Sequence, residues 1–179
     1  MRTRQWLLLI ITPMNKVSIR KMSATDWNSV ADIYKEGIAT GVATFETTVP
    51  AFESWDKAHM TSCRFVAESS NIILGWVALS PVSSRCVYGG VAEVSVYISK
   101  ASRGKGIGKL LLKHLIDASE QEGIWTLQSG VFPTNHASIK IHEAVGFRMI
   151  GSRERVGKLN GLWIDNVLFE RRSRLVGVD

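Results

Sequence analysis

Residues 91–112 read Val-Ala-Glu-Val-Ser-Val-Tyr-Ile-Ser-Lys-Ala-Ser-Arg-Gly-Lys-Gly-Ile-Gly-Lys-Leu-Leu-Leu. The first part, Val91–Ser99, alternates and is rich in valine, the pattern of a strand half or fully buried. From Gly108 to Glu122 the apolar residues Leu111, Leu112, Leu115 and Ile116 fall on one face with Ser119, which predicts an amphipathic helix closed by Gly123 as its C′ residue. Between strand and helix lie Arg103, Gly104, Lys105, Gly106, Ile107, Gly108 and Lys109. Glycine lets backbone approach a ligand closely, and the first turn of a helix presents unpaired N–H groups at a positive dipole end. With three cationic side chains added, the segment suits a phosphate group, and a pyrophosphate better still. The alternative is a basic strand-to-helix turn with no ligand. Spacing excludes two common phosphate motifs: Gly104 and Gly108 enclose three residues where a P-loop needs four, and Gly104-Lys-Gly-Ile-Gly108 is not G-x-G-x-x-G.

Outward from this segment the chain alternates between the two periods. Toward the N-terminus, Lys16–Arg20 reads as a first strand. Ser23, Thr25 and Asp26 are helix-start residues. Trp27, Val30, Ala31, Tyr34 and Ile38 follow at helical spacing, predicting a helix over Trp27–Ile38. A loop containing Thr44-Phe45-Glu46 leads to a second helix over Phe52–Ser62. Arg64–Glu68 and Ile72–Leu79 form a hairpin about Ser69-Ser70-Asn71. Toward the C-terminus, Ile124–Val131 is a strand, and Asn135 caps a short helix ending at Gly146. Phe147–Arg155 and Leu162–Glu170 close the chain as a hairpin around Gly157 and the turn dipeptide Asn160-Gly161. The order β-α-α-β-β-β-α-β-α-β-β predicts a mixed α/β domain over residues 16–172, with an extension at 1–15 and a tail at 173–179.

Composition narrows the classes. At 179 residues and 45% hydrophobic, the chain is long enough for one core and too apolar for disorder. Two cysteines, Cys63 and Cys86, are too few for a disulfide scaffold and read as reduced thiols of a cytoplasmic protein. Neither has metal-ligand spacing around it, so no metal is expected. The net charge of +6 favours an anionic partner without naming it. A nucleic-acid binder would need a basic stripe with interleaved aromatics, and the cations here disperse except at Arg103–Lys109 and Arg171–Arg174. Arg2 and Arg4 before the apolar run Trp6–Ile11 resemble a secretory signal superficially. The run is too short to span a bilayer and no small-residue cleavage pattern follows, so membrane association is not expected. Met14 is an alternative start.

Arg103-Gly-Lys-Gly-Ile-Gly108 resembles the (Q/R)-x-x-G-x-(G/A) pyrophosphate loop of the GNAT superfamily of acetyl-CoA-dependent N-acetyltransferases. Thr44-Phe45-Glu46, Gly75–Pro81, Ala92–Tyr97, Asn135–Glu143 and Gly161–Asp165 resemble its phosphinothricin (glufosinate) and methionine sulfoximine N-acetyltransferase branch, over about residues 17–172. The resemblance implies a single-domain GNAT fold: a mixed, mostly antiparallel sheet with splayed strands and about four helices. It implies acetyl-CoA as cosubstrate, a small-molecule amine acceptor of the amino-acid type, and a homodimer. It also implies that backbone groups of Val96, Tyr97 and Ile98 receive the pantetheine arm and that Arg103–Lys109 receive the pyrophosphate.

Acetyl transfer to an amine needs a base, a polarised thioester carbonyl and, for the leaving thiolate, a proton. Glu93 stands in an otherwise apolar strand. It is either a solvated outward residue or a functional carboxylate, and the branch resemblance implies the latter, as base. Asn135-x-x-Ser138-x-x-x-His142 keeps the N-x-x-A-x-x-x-Y register in which many members carry an acidic Tyr near the CoA sulfur. The resemblance therefore implies cofactor contacts for Asn135 and Ser138 and a catalytic or substrate-positioning role for His142, against the plain reading of a structural histidine. Arg85 is placed to fork a substrate carboxylate or to be a solvated loop arginine. Phe45 and Trp163 are acceptor-pocket walls or core packing. Direct attack in a ternary complex is expected, because no cysteine lies in either catalytic segment to carry an acyl group. The rivals are an acetyltransferase for a protein N-terminus or an antibiotic, and an inactive CoA-binding regulatory domain.

Overall fold

The computed structural model describes residues 16–178, so the Trp6–Ile11 run, Met14 and the 1–15 extension lie outside the described residues. Seven strands and four α-helices appear in the expected order: β1 Ser18–Lys21, α1 Trp27–Ile38, α2 Phe52–Ala58, β2 Phe65–Ser69, β3 Ile72–Pro81, β4 Val91–Ile98, α3 Ile107–Gln121, β5 Thr126–Val131, α4 His136–Glu143, β6 Arg148–Leu159 and β7 Leu162–Arg172. One sheet holds them in the order β1-β2-β3-β4-β5-β7-β6. Every neighbouring pair is antiparallel except β4–β5.

That parallel pair decides where a ligand can enter. β4 pairs with β3 along Ala92–Ile98, and β5 pairs with β7 along its whole length. Against each other they pair only at Val91↔Thr126, Ala92↔Leu127 and Glu93↔Gln128. Beyond Glu93 both strands continue and the ladder between them stops, so the sheet splays open. Among the described residues, the backbone groups of Val94–Ile98 on that edge meet no strand.

Alternation along the strands sorts the core into two layers. Ala92 and Val94 face α3 and α4 with Leu79, Leu111, Leu115, Leu127 and Phe169, while Val66, Trp76 and Ala78 face α1 and α2 with Val30, Tyr34 and Trp55. α1 and α2 cover this second face only over β1–β4. Over β5, β7 and β6 the same face carries no helix among the described residues.

Several boundaries differ from expectation for identifiable reasons. α2 stops at Ala58 rather than Ser62, because the Arg64 guanidinium takes the carbonyls of Asp56 (2.7 Å), His59 (2.6 Å) and Met60 and so ends the helix from outside it. α4 ends at Glu143, with Gly146 in the left-handed region beyond it. β6 runs on to Leu159, because a bulge between Arg153 and Gly157, with Arg155 at φ 49°, absorbs the break that the glycine suggested. The tail folds back onto the domain: Ser173 donates its N–H to the Trp125 carbonyl and its hydroxyl to Glu120, both at 2.8 Å.

Candidate active site

Glu93 is the last β4 residue paired to β5, and its side chain is exposed on the face covered by α1 and α2. Ser95 and Tyr97 follow on the same face. Tyr97 stacks on Trp76 at 4.8 Å between ring centroids and meets Tyr34 at the same distance. Burial raises the pKa of both phenols, so they stand as neutral hydroxyls on the Thr44 side of the sheet. Thr44 belongs to the α1–α2 connection, and the next residue, Phe45, lays its ring against Phe132 (4.6 Å) and over Gly157. Phe45 therefore packs against neighbouring elements, and its role as an acceptor-pocket wall belongs to the functional proposal.

At the other end of the gap, Gly104 and Gly106 take φ of 74° and 81°, and Gly106 is the N-cap of α3 with no side chain bonded to the helix start. A Cβ on either would meet nothing within 4 Å, so glycine is required there by backbone conformation and leaves the surface open. The helix ladder begins with Leu110 N–H to Gly106 C=O at 3.1 Å, leaving the N–H groups of Ile107, Gly108 and Lys109 without a helical acceptor. Gly108 serves differently: a Cβ there would press Ile141 of α4 at 3.1 Å, so it is a packing residue between α3 and α4. Lys105 and Lys109 are exposed. Arg103 turns back along the strand, its Nε reaching the Ile98 carbonyl at 3.3 Å and its Nη2 the Glu36 carbonyl at 3.4 Å. One of the three backbone positions expected to meet pantetheine therefore carries an arginine contact.

The structure brings Asn135, Ser138 and His142 together on α4. Asn135 Oδ1 accepts the Ser138 N–H at 3.1 Å and caps the helix. His142 Nδ1 lies 2.8 Å from the Ser138 carbonyl, which can only accept, so the ring proton is assigned to Nδ1. The imidazole is 1% exposed, set edge-on to Phe147 at 5.0 Å. Burial lowers its pKa. Nε2 is buried without a partner among the described residues. A neutral ring protonated on Nδ1 presents Nε2 as a hydrogen-bond acceptor.

Arg85 lies exposed in the loop before β4, its guanidinium carbon 5.7 Å from the Tyr88 ring centroid. Trp163 is not brought to the Phe45 side. By the alternation of β7 it shares a face with Val167 and Phe169 of the α3/α4 core, at 56% exposure, with Lys158 Nζ 4.8 Å from its ring. The sequence reading missed Thr44, Tyr34 and Asn166. Asn166 stands on β7, on the Glu93 face, and its Oδ1 is buried without a partner among the described residues. Thr44, inside the quoted Thr44-Phe45-Glu46, and Tyr34, on the apolar face of the predicted helix, carried a sequence signal; Asn166 is placed by tertiary contact.

A family model described as the Acetyltransferase (GNAT) family matches residues 27–147, more than half of the chain. The protein belongs to the GNAT acetyltransferase family. Phosphinothricin N-acetyltransferase of Streptomyces viridochromogenes is 28% identical, with 89% of each chain covered. The L-methionine sulfoximine/L-methionine sulfone acetyltransferase of Salmonella typhimurium is 32% identical over 56% of this chain and 58% of its own. The crystal structure of a GNAT superfamily phosphinothricin acetyltransferase from Sinorhizobium meliloti, in complex with acetyl-CoA, superposes with a TM-score of 0.82. It is 28% identical, and 91% of each chain is covered.

As a GNAT enzyme the protein is an acetyl-CoA-dependent N-acetyltransferase, and its architecture fits that cosubstrate. The splayed β4 edge offers backbone partners to an extended amide-bearing arm, and the uncapped start of α3 offers N–H groups and cations to phosphate. No cluster of His, Cys, Asp or Glu side chains that could hold a metal ion occurs among the described residues. No helix among them is long and apolar enough to cross a membrane.

Proposed function

We propose that this enzyme acetylates the α-amine of a small amino-acid-like acceptor of the phosphinothricin, methionine sulfoximine or methionine sulfone type, by direct attack in a ternary complex. The observation that carries this reading is the position of Glu93: an exposed carboxylate at the residue where β4 and β5 part. There it reaches an amine that enters from the open face while the cosubstrate's arm lies along Val96, Tyr97 and Ile98 in the gap. The backbone of 103–109, with Lys105 and Lys109, holds the pyrophosphate. Asn135 and Ser138 fix the start of α4 beside the gap. Phe45 walls the acceptor site, and Arg85 on its exposed loop takes the acceptor's carboxylate as a two-point fork. The named substrates of the Streptomyces and Salmonella relatives support the acceptor class.

Glu93 takes the proton of the acceptor's ammonium, directly or through a water, and frees the lone pair for attack on the thioester that acetyl-CoA supplies. A CoA thiol has a pKa near that of cysteine, about 8.5, and leaves without needing a strong acid. His142 enters as a neutral imidazole that anchors α4 through Ser138. The protein acts in the cytoplasm, in keeping with the free thiols of Cys63 and Cys86, and as a homodimer joined through the β6–β7 hairpin.

The test is kcat/KM against pH for Glu93→Gln with one good acceptor. At neutral pH the rate is expected to fall by about 10²–10⁴, the usual contribution of a positioned base. The loss shrinks at high pH, where the amine is already neutral. An equal loss at every pH would make Glu93 an electrostatic or structural residue instead.

A further inference from the structure

Gly130 lies two residues past Gln128, the partner of Glu93, on the same face of β5, which places it about 7 Å further along the opening. A Cβ at Gly130 would stand 2.7 Å from Asn166 Nδ2 and 3.1 Å from Asn166 Oδ1. The Asn166 amide therefore leans from β7 across β5 into space that a side chain at 130 would fill. Because β5 is the strand between β7 and β4, the amide leans toward the splay and toward Glu93. Among the described residues no helix covers this face, and Asn166 Oδ1 is buried there without a partner. A buried amide oxygen with no donor carries a desolvation cost that a bound donor removes.

We infer that Asn166 is an acceptor-binding residue: its Oδ1 receives an N–H of the amine that Glu93 deprotonates. The inference rests on the amino-acid acceptor proposed above and adds the group that orients the nucleophile. Acceptor chemistry selects the amine as the donor. A sulfone and a deprotonated phosphinate offer only acceptor oxygens in their side chains, so the amine is the hydrogen-bond donor that these acceptors share. Once Glu93 has taken one proton the amine keeps two N–H bonds and a lone pair, and an N–H held by Asn166 restricts rotation about the Cα–N bond, so the lone pair is oriented for attack rather than free to turn.

Three variants test this with L-methionine sulfone and L-methionine sulfoximine as acceptors. Asn166→Leu keeps the size and removes the oxygen. Its kcat/KM for both acceptors should fall by about tenfold or more, equally at pH 7 and pH 9.5, because Asn166 is not the base. Asn166→Asp keeps an acceptor oxygen and should stay within about threefold of the wild type. Gly130→Ala, which displaces the amide sterically, should reproduce the leucine defect. Acetyl-CoA affinity should be unchanged in all three, and the melting temperature of Asn166→Leu should not fall, since leucine removes a buried polar atom that has no donor; together these separate an acceptor-site effect from misfolding. The assignment is overturned if Asn166→Leu matches the wild type, if Asn166→Asp is as impaired as Asn166→Leu, or if the loss is confined to the sulfoximine, whose own N–H would then be the donor. A wild-type enzyme that acetylates neither amino acid would instead overturn the acceptor class on which the inference rests.

Discussion

The single ring proton of His142 is committed to the Ser138 carbonyl inside a core that includes Phe147 and Phe169. Burial favours the neutral ring, so its folded pKa lies below 6.5, while in the unfolded chain it titrates normally. The stability it contributes is therefore complete above about pH 6.5 and is lost as the pH falls from there through the depressed value. His59 has the same sign: burial lowers its pKa, and it stacks on Trp55 at 4.2 Å. The urea midpoint of the wild type should drop between pH 6.5 and pH 5, and His142→Phe, which keeps the aromatic contacts, should flatten that drop. A profile as steep in the variant would refute the buried neutral imidazole. Asp26 governs a second, more acidic window. Its carboxylate receives Arg20 and caps the chain at Ser23, and its pKa falls from 3.8 to about 2. Asp26→Asn should cost roughly 2 kcal/mol at pH 7, by the size of that shift. The cost should vanish as the wild type is titrated from pH 3.8 down to about 2.

The loop 103–109 joins β4 to α3, and its behaviour follows from backbone conformation more than from side chains. Gly106 holds φ 81° at the helix start, a conformation that costs any other residue on the order of 1–3 kcal/mol. Gly106→Asp should abolish acetyl-CoA binding by calorimetry, since the backbone must shift and a carboxylate would face the phosphates. If the loop holds the pyrophosphate as proposed, wild-type affinity should fall with added salt, because cations and oriented N–H groups would then meet the phosphates. Affinity that is unchanged in the variant would remove the loop from the cofactor site. Much at this scale was legible beforehand, since the alternation of Val91–Ser99 and the spacing of Leu111, Leu112, Leu115 and Ile116 locate β4 and α3 within a residue or two. The end of α2 was not legible. Arg64, beyond the helix, takes the carbonyls that end it, and a contact between segments leaves no local pattern to read.

In the whole molecule, the sheet order made the site, and sequence periodicity does not encode which strands stop pairing. Glu93 could be singled out as a carboxylate in an apolar strand, but its place at the parting of β4 and β5 needed the register. Asn166 gave no signal, because its position depends on Gly130 of another strand, whose missing side chain leaves room for the amide. Trp163 was read as a pocket wall or core packing, and alternation sets it on the face of β7 away from Glu93. That leaves an unusual surface. On the β6–β7 hairpin Leu162 is 69% exposed, Trp163 56% and Met149 53%, with Ile150 and Val156 also exposed, all at the end of the sheet where β6 has no outer neighbour among the described residues. An apolar edge ribbon of this kind is an aggregation hazard unless it is covered. A two-fold partner would cover it in each chain at once, because an isologous contact uses the same patch twice. A stable dimer of standard size buries about 800 Å² per partner, within reach of two such hairpins. Sedimentation at micromolar concentration should therefore show a dimer, and Leu162→Asp with Trp163→Glu should shift it to monomer with the Glu93 site still folded, judged by retained acetyl-CoA binding. A wild-type monomer at that concentration would remove the hairpin as an interface and leave its exposed tryptophan to some other contact.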